Sequence, residues 1–235
     1  WGRELDLHLR DLVKAILVHT DTSRLRLSSL EPWDLDADFF QLWEDKRLCK
    51  HLHLPLQSGC DATLRRMARH TNQAKYSQLV QAARSAIPDL SITTDLIIGF
   101  PGETEAEFAE SIAFVEEMAF AKLHIFRYSK REGTAAAKMK GQLSPEVIKE
   151  RSQQMHALDA RLERAFRQKF IGRTMPVLWE SSEPGGFGLQ WSGLTNNYVR
   201  VITQTDPDVN LHNQIIETDL VGLAPAALVG QLTQG

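Results

Sequence analysis

The sequence predicts an α/β array of parallel strands followed by a small all-β barrel. Two strand-to-helix junctions, HLPLQSGCDATLRRMARHT and ITTDLIIGFPGET, put glycine and polar residues where a strand ends and a helix begins. Between them and after them, apolar residues alternate between helical and strand periods. From Thr174 onward the pattern changes to short alternating runs, TMPVLWE, FGLQW, YVRVIT and IIETDLV, separated by Pro, Gly and Asn turns.

Leu5, Leu9, Leu12, Val13 and Ile16 recur at helical spacing, and Arg24 to Ser28 then alternates as a strand that Pro32 closes. Asp36 suits the cap of a helix carrying Phe39, Phe40 and Trp43, and a strand follows at His51 to Leu56. Asp61 suits the cap of the next helix, with Leu64 and Met67 inward. A longer helix runs from about Asn72 to Ile87 on a stripe of Tyr76, Leu79, Val80 and Ala83, with Pro88 as its stop.

Ser91 to Ile98 reads as a strand covered on both faces. Thr104 and Glu107 form a capping box that opens a helix, and Lys122 to Phe126 is the next strand. Four such parallel strands leave a sheet edge open, so the array reads as the later part of something larger. A basic loop leads into a long helix from Ser144 or Pro145 to about Phe170, ended by Gly172. The division is therefore 1–143 for the α/β part, 144–173 for a connecting helix and 174–235 for the β-barrel.

Charge is segregated beneath a net −3. Residues 1–121 hold 13 Lys+Arg against 19 Asp+Glu, residues 122–173 hold 13 against 5, and residues 174–235 hold 1 against 6. The basic band can attract a polyanion locally, or form a solvated helix face. No run approaches the roughly 18 apolar residues of a membrane span, and the charged start is unlike a signal peptide. Two cysteines, Cys49 and Cys60, without a framework spacing fit a reducing cytoplasm.

Candidate chemistry lies at the junctions. Gln57, Ser58 and Gly59 would leave backbone N–H groups facing a carboxylate or phosphate, or make a simple turn. Pro101 and Gly102 suit the centre of a type II turn, Gly99 thins the wall where a ring could lie against Ile97 and Ile98, and Glu103 suits a ligand contact or a first-turn acid. Cys60, at a helix start, would have a lowered pKa. His51 and His53 share a strand face that Asp95 and His124 could join, either as structural histidines or as ligands of a metal-dependent hydrolase.

Taken together and in order, RLRLSSLEP, HLHLPLQSGCDATLRRMAR, TTDLIIGFPGET, FRYSKREGTAA and LTNNYVRV resemble the radical S-adenosylmethionine methylthiotransferases, most of all the branch acting on threonylcarbamoyladenosine in tRNA. The resemblance implies a radical SAM partial TIM barrel followed by a TRAM barrel. It implies a chain that begins after the second barrel strand, with Trp1-Gly2 in place of Tyr-Gly, and lacks both cluster-binding regions, including the C-x3-C-x2-C loop. The implied cofactors are S-adenosylmethionine and 4Fe-4S clusters, the latter without ligands here, and the implied partner is the tRNA anticodon stem-loop, not DNA or a membrane. The reaction implied for the complete enzyme is reductive cleavage of S-adenosylmethionine, hydrogen removal from adenine C2 and installation of sulfur plus methyl; the fragment alone is expected to be inactive.

Carried over to this sequence, the resemblance implies S-adenosylmethionine contacts from Ser28, Ser29, Glu31, Gln57, Ser58, Arg65, Gly99, Phe100, Pro101, Gly102, Phe126 and Tyr128, with Arg69 close by. Asn196, Asn197, Tyr198 and Arg200 match the TRAM signature and would meet RNA. The acidic balance of that barrel shifts the expected RNA grip to Arg127, Lys130, Arg131, Lys138 and Lys140. A noncatalytic RNA-binding module, or a sibling enzyme acting on isopentenyladenosine or a ribosomal protein, is the alternative.

Overall fold

A computed structural model describes residues 7–32, 35, 38–186 and 188–233. Helix α1 (Leu9–His19) buries Val13 and Leu17, and its start is tied by the His8 amide donating to Asp11. The expected strand at Arg24–Ser28 is reduced to isolated parallel bridges, Leu25 to Leu48 and Ser29 to His53. The ladder breaks because its partner at residues 47–49 is loop rather than strand. Asp36 lies outside the described residues, and the helix it was expected to cap is a 3-10 turn at Phe39–Glu44 that buries Phe39, Phe40 and Leu42.

Strand β1 covers only His51–His53, shorter than the expected run to Leu56. Pro55 has no N–H to continue the ladder; the chain bends and rejoins β2 through a bridge from Gln57, held at φ 74°, to Leu96. Helix α2 (Asp61–Arg66) starts at Asp61, but Cys60 is its cap position and the Asp61 carboxylate instead accepts from the Gln73 amide at 2.8 Å. Helix α3 (Gln73–Ala86) is capped by Asn72, whose side chain accepts from Lys75 N.

Strand β2 (Ser91–Ile98) is central and nearly all buried, flanked in parallel by β1 and by β3 (Lys122–Arg127). Between β2 and β3, α4 (Glu105–Met118) opens with the expected Thr104–Glu107 capping box. One turn of helix, α5 (Ala135–Lys138), interrupts the basic loop, and α6 (Pro145–Gln168) follows with Ser144 as cap and Pro145 at its first position.

The last third is a closed barrel in the order β4-β5-β6-β8-β7. Its strands are β4 (Thr174–Gly185), β5 (Gly188–Thr195), β6 (Arg200–Thr205), β7 (Ile215–Leu223) and β8 (Leu228–Leu232). Strand β8 was not expected from the sequence, because Ala-Pro-Ala-Ala before it and Gly230 within it dilute the alternation. The mixed α/β class with a parallel sheet and a closed five-stranded all-β barrel is the expected one. It fits a radical SAM partial barrel followed by a TRAM-like barrel.

Each half has its own core. Leu52, Leu54, Leu56, Leu64, Tyr76, Val115 and Phe120 anchor the α/β part; Val177, Trp179, Val201, Leu220 and Leu228 fill the barrel. The halves meet at the starts of β1 and β2. Arg24 donates to the carbonyls of Leu194 and Pro176, both at 2.8 Å. The Lys50 amide donates to the Asn196 side chain at 2.8 Å, and the Asn197 side chain donates to Asp89 O at 3.1 Å. Arg173 pairs with Asp89 at 2.7 Å.

Candidate functional site

The glycines of the turns at the ends of the strands are packed closely against other elements. At Gly59 a Cβ would lie 2.7 Å from the carbonyl oxygen of Ser111, so this glycine admits helix α4. The turn amides are engaged internally: Gln57 N donates to Asp95 O, Gly59 N to Ser111 Oγ at 2.8 Å and Cys60 N to Ser58 Oγ at 3.2 Å. Gln57 and Ser58 are themselves buried. Of the backbone donors expected to seat an anion here, Gln57 N and Gly59 N are therefore engaged within the protein.

The second turn follows the same logic. Pro101 and Gly102 do occupy a type II turn, with Glu103 N donating to Phe100 O at 3.0 Å and Gly102 at φ 80°. Gly99, at φ 79°, would place a Cβ 2.5 Å from Ile148 Cγ1, so the wall it thins admits helix α6 and not a ligand ring. Glu103 precedes the Thr104 cap and so is not a first-turn acid of α4. It is buried, accepts from Gly99 N at 3.0 Å, and pairs with Arg151 of α6 at 2.9 Å. Burial pushes its carboxyl above the ordinary range against the pull of Arg151.

Cys60 is 1% exposed and donates to Glu110 at 3.2 Å. Burial, reinforced by Glu110, raises its pKa and overturns the expected lowering. Arg66, which the sequence did not single out, makes the fork contact to Glu107 at 2.6 and 2.8 Å; its neighbour Arg65 is exposed. Phe100 is buried edge-on to Tyr128, whose hydroxyl is buried without a partner. Ser28, Ser29 and Glu31 are exposed, and Phe126 is 54% exposed at the end of β3. These last four and Arg65 are the expected cofactor residues whose side chains stay open.

On the inner face of the sheet the strand alternation collects polar side chains. His53 bonds Thr93 Oγ1 through Nδ1 (3.0 Å) and Asp95 through Nε2 (3.3 Å), and Thr93 Oγ1 also meets His51 Nε2 at 3.3 Å. His124 lies edge-on to His53. Tyr198 of the barrel lies 5.0 Å from the His51 ring, with Arg26 4.4 Å from its own centroid. Together with Ser28, Ser29 and Ser91 they line a cavity of about 560 Å³ at the seam. Burial, and then the charges of Arg26, His53 and His124, lower the His51 pKa from 6.5 to about 4.

His51, His53 and Asp95 are thus brought to one face, but they bond to one another, the two histidines through Thr93 and Asp95 directly to His53. Among the described residues no group of three or more His, Cys, Asp or Glu is disposed to hold a metal ion. An iron–sulfur cluster does not fit these residues either, since there are only two cysteines, both free and buried, one before β1 in the chain and one after it.

The expected RNA residues fall at two ends. Arg127 at the end of β3, Lys138 in α5, and Lys130, Arg131 and Lys140 on the surrounding loop are all exposed, and this segment touches the GFPGET turn where Gly102 N donates to Gly141 O at 2.8 Å. Much of the remaining basic band is neutralised internally. Lys122 meets Asp159 and Glu163, Arg161 meets Glu116, and Arg167 donates to the carbonyls of Ala224, Pro225 and Ala227. In the barrel, Asn196 and Asn197 are engaged in the seam, Tyr198 packs on His51 and Arg200 pairs with Glu180 at 2.9 Å. The two asparagines thus act in docking, a role that spacing alone does not reveal.

The sequence pattern of the Radical SAM superfamily matches residues 4–115. The chain is 36% identical over 231 residues to tRNA-2-methylthio-N(6)-dimethylallyladenosine synthase of Erythrobacter litoralis, covering 97% of this chain and 50% of that protein. It is 37% identical over 181 residues to threonylcarbamoyladenosine tRNA methylthiotransferase MtaB of Thermotoga maritima, covering 77% of this chain and 42% of that protein. Coproporphyrinogen III oxidase (HemN) from Escherichia coli, a radical SAM enzyme, superposes with a TM-score of 0.54 at 16% identity, over 79% of this chain and 50% of that one, which bears on the fold alone. Residues 4–115 carry radical SAM superfamily sequence, and the chain is a homologue of tRNA methylthiotransferases that spans about half the length of the curated relatives it matches.

Proposed function

We propose that this chain is part of a radical SAM enzyme that methylthiolates C2 of an N6-modified adenosine next to the anticodon of tRNA, with N6-threonylcarbamoyladenosine as its substrate. Relatives named for dimethylallyladenosine and for threonylcarbamoyladenosine both match. The observation that favours the second is the inner face, where a polar lining with the exposed cation Arg26 suits a substituent bearing a carboxylate better than an apolar dimethylallyl group. Among the residues expected to contact S-adenosylmethionine, Ser28, Ser29, Glu31, Arg65 and Phe126 have exposed side chains, and the chemistry would need a cluster held outside these 235 residues.

The test is nucleoside analysis of tRNA from a bacterial host that lacks its own methylthiotransferases and expresses the full coding sequence. Methylthio-threonylcarbamoyladenosine is the expected product. The dimethylallyl product instead would overturn the substrate, and neither product would overturn the enzyme reading. The 235-residue chain alone, supplied with iron, sulfide, reductant and S-adenosylmethionine, is expected to yield no deoxyadenosine; a reductive cleavage product would refute its dependence on an external cluster.

RNA is held mainly by the free cations of the loop after β3. Affinity of the chain for an anticodon stem-loop should fall steeply with salt, and Lys130→Glu with Arg131→Glu should reduce the log–log slope by roughly 1.5, about 0.7–0.9 for each phosphate that the loop no longer neutralises. An unchanged slope would remove the loop from the interface.

A further inference from the structure

The basic loop between β3 and α6 is rooted at both ends in the GFPGET turn and the strand end that leads into it. At its start Tyr128 N donates to Ile98 O at 2.8 Å, and the Tyr128 ring stands edge-on to Phe100. At its end Gly102 N donates to Gly141 O at 2.8 Å. Gly141 holds φ 77°, and a Cβ there would lie 3.2 Å from the Gly102 backbone, so glycine is what lets the loop seat on the turn. The turn is itself anchored, by Glu103 on Arg151 and by Gly99 against Ile148.

Between its roots the loop forms two arms carrying exposed cations. Lys130 and Arg131 lie on the first, Lys138 and Lys140 on the second, and Gly133, at φ 81° with open space where a Cβ would stand, separates them. The second arm is braced from its root. The Gln142 side chain donates to the carbonyls of Ala136 and Met139 at 3.0 and 3.1 Å, so α5, with Lys138, is held by the residue that adjoins Gly141. Thr134 caps the same turn of helix by accepting from Ala137 N at 3.2 Å. None of these bonds uses one of the four cationic heads. A flexible arm must order its long side chains at the moment of binding, whereas an arm fixed at its root has already done so.

We propose that Gly141 is a positioning residue for RNA: its bond to Gly102 makes the GFPGET turn the foundation that shapes the loop, so the spacing of the loop cations is set before RNA arrives. The inference rests on the RNA reading above and deepens it, because it gives control of affinity to an uncharged residue.

The experiment titrates the 235-residue chain with a synthetic anticodon stem-loop across a salt series. Gly141→Ala puts a methyl group against the Gly102 backbone, and Gln142→Met removes the donor to the α5 carbonyls while keeping the side-chain length. Each should weaken binding by roughly 5- to 50-fold, the range for ordering two long side chains on binding, and leave the log–log salt slope unchanged because no charge is lost. Gly172→Ala is the control: it carries the same left-handed strain, at φ 81°, in open space beyond α6, and should leave affinity unchanged. Hydrogen exchange at the Gly102 amide should be slow in the free chain, faster in Gly141→Ala and slower still with RNA bound. Unaltered affinity in both variants, a loss equalled by the control, a slope reduced as by the Lys130 and Arg131 reversals, or a Gly102 amide that exchanges freely overturns the positioning role and leaves the RNA reading standing. Absence of salt-dependent binding by the unsubstituted chain defeats both.

Discussion

The two ends of the parallel sheet are built on opposite principles. At the C-terminal end, Gly59 and Gly99 admit the backbone of α4 and the Ile148 side chain of α6, the amides of both glycines are bonded within the protein, and a buried Glu103–Arg151 pair ties the turn to α6. At the N-terminal end, polar rings line an open cavity and a buried nitrogen lacks a partner. Glycine at a strand-to-helix junction thus marks close approach without saying whether a ligand or another element approaches.

Substitutions at the closed end should act on stability. Arg151→Ala leaves Glu103 buried and unpaired, and should lower the unfolding free energy by about 3–5 kcal/mol in urea titration. A loss below about 1 kcal/mol would mean that the turn is not locked to α6. Gly99→Ala combines a left-handed backbone with a Cβ 2.5 Å from Ile148 and should cost about 2–4 kcal/mol. Full stability there would reopen the space beside Gly99 to a ligand.

At the open end the expected effect is smaller and pH-dependent. The folded state holds His51 neutral down to about pH 4, whereas the unfolded chain protonates near 6.5. Between those values the unfolded state binds the extra proton, so stability falls as pH falls through that window, by up to about 3 kcal/mol. Urea midpoints measured from pH 7 to 4.5 should show this decline and lose part of it in His51→Phe. An identical decline in the variant would place the titrating group elsewhere.

What was legible in the sequence is what is local. Asn72, the Thr104–Glu107 box and Ser144-Pro145 each cap a helix within four residues, and all three helices lie where their spacing puts them. The pairings that define the site are not local. Gly59 meets Ser111 52 residues on, Glu103 meets Arg151 48 residues on, and Asn196 meets Lys50 across 146 residues. An Asn-Asn turn written for docking is indistinguishable, in one dimension, from one written for RNA. Arg66 was passed over for Arg65 because one helical step decides which of two adjacent arginines faces Glu107.

The docked LTNNY turn also has a geometric consequence. With Arg24, Asn196, Asn197 and Arg173 fastening the barrel to one end of the sheet, and the basic loop fixed at the other by the Gly102–Gly141 contact, the two surfaces are held at a set spacing. If RNA meets both surfaces, such a pair would work as a bivalent receptor, in which the first contact raises the effective concentration for the second only in a ligand long and curved enough to reach both. Length discrimination would then be a property of the seam, exercised by residues that never touch the ligand.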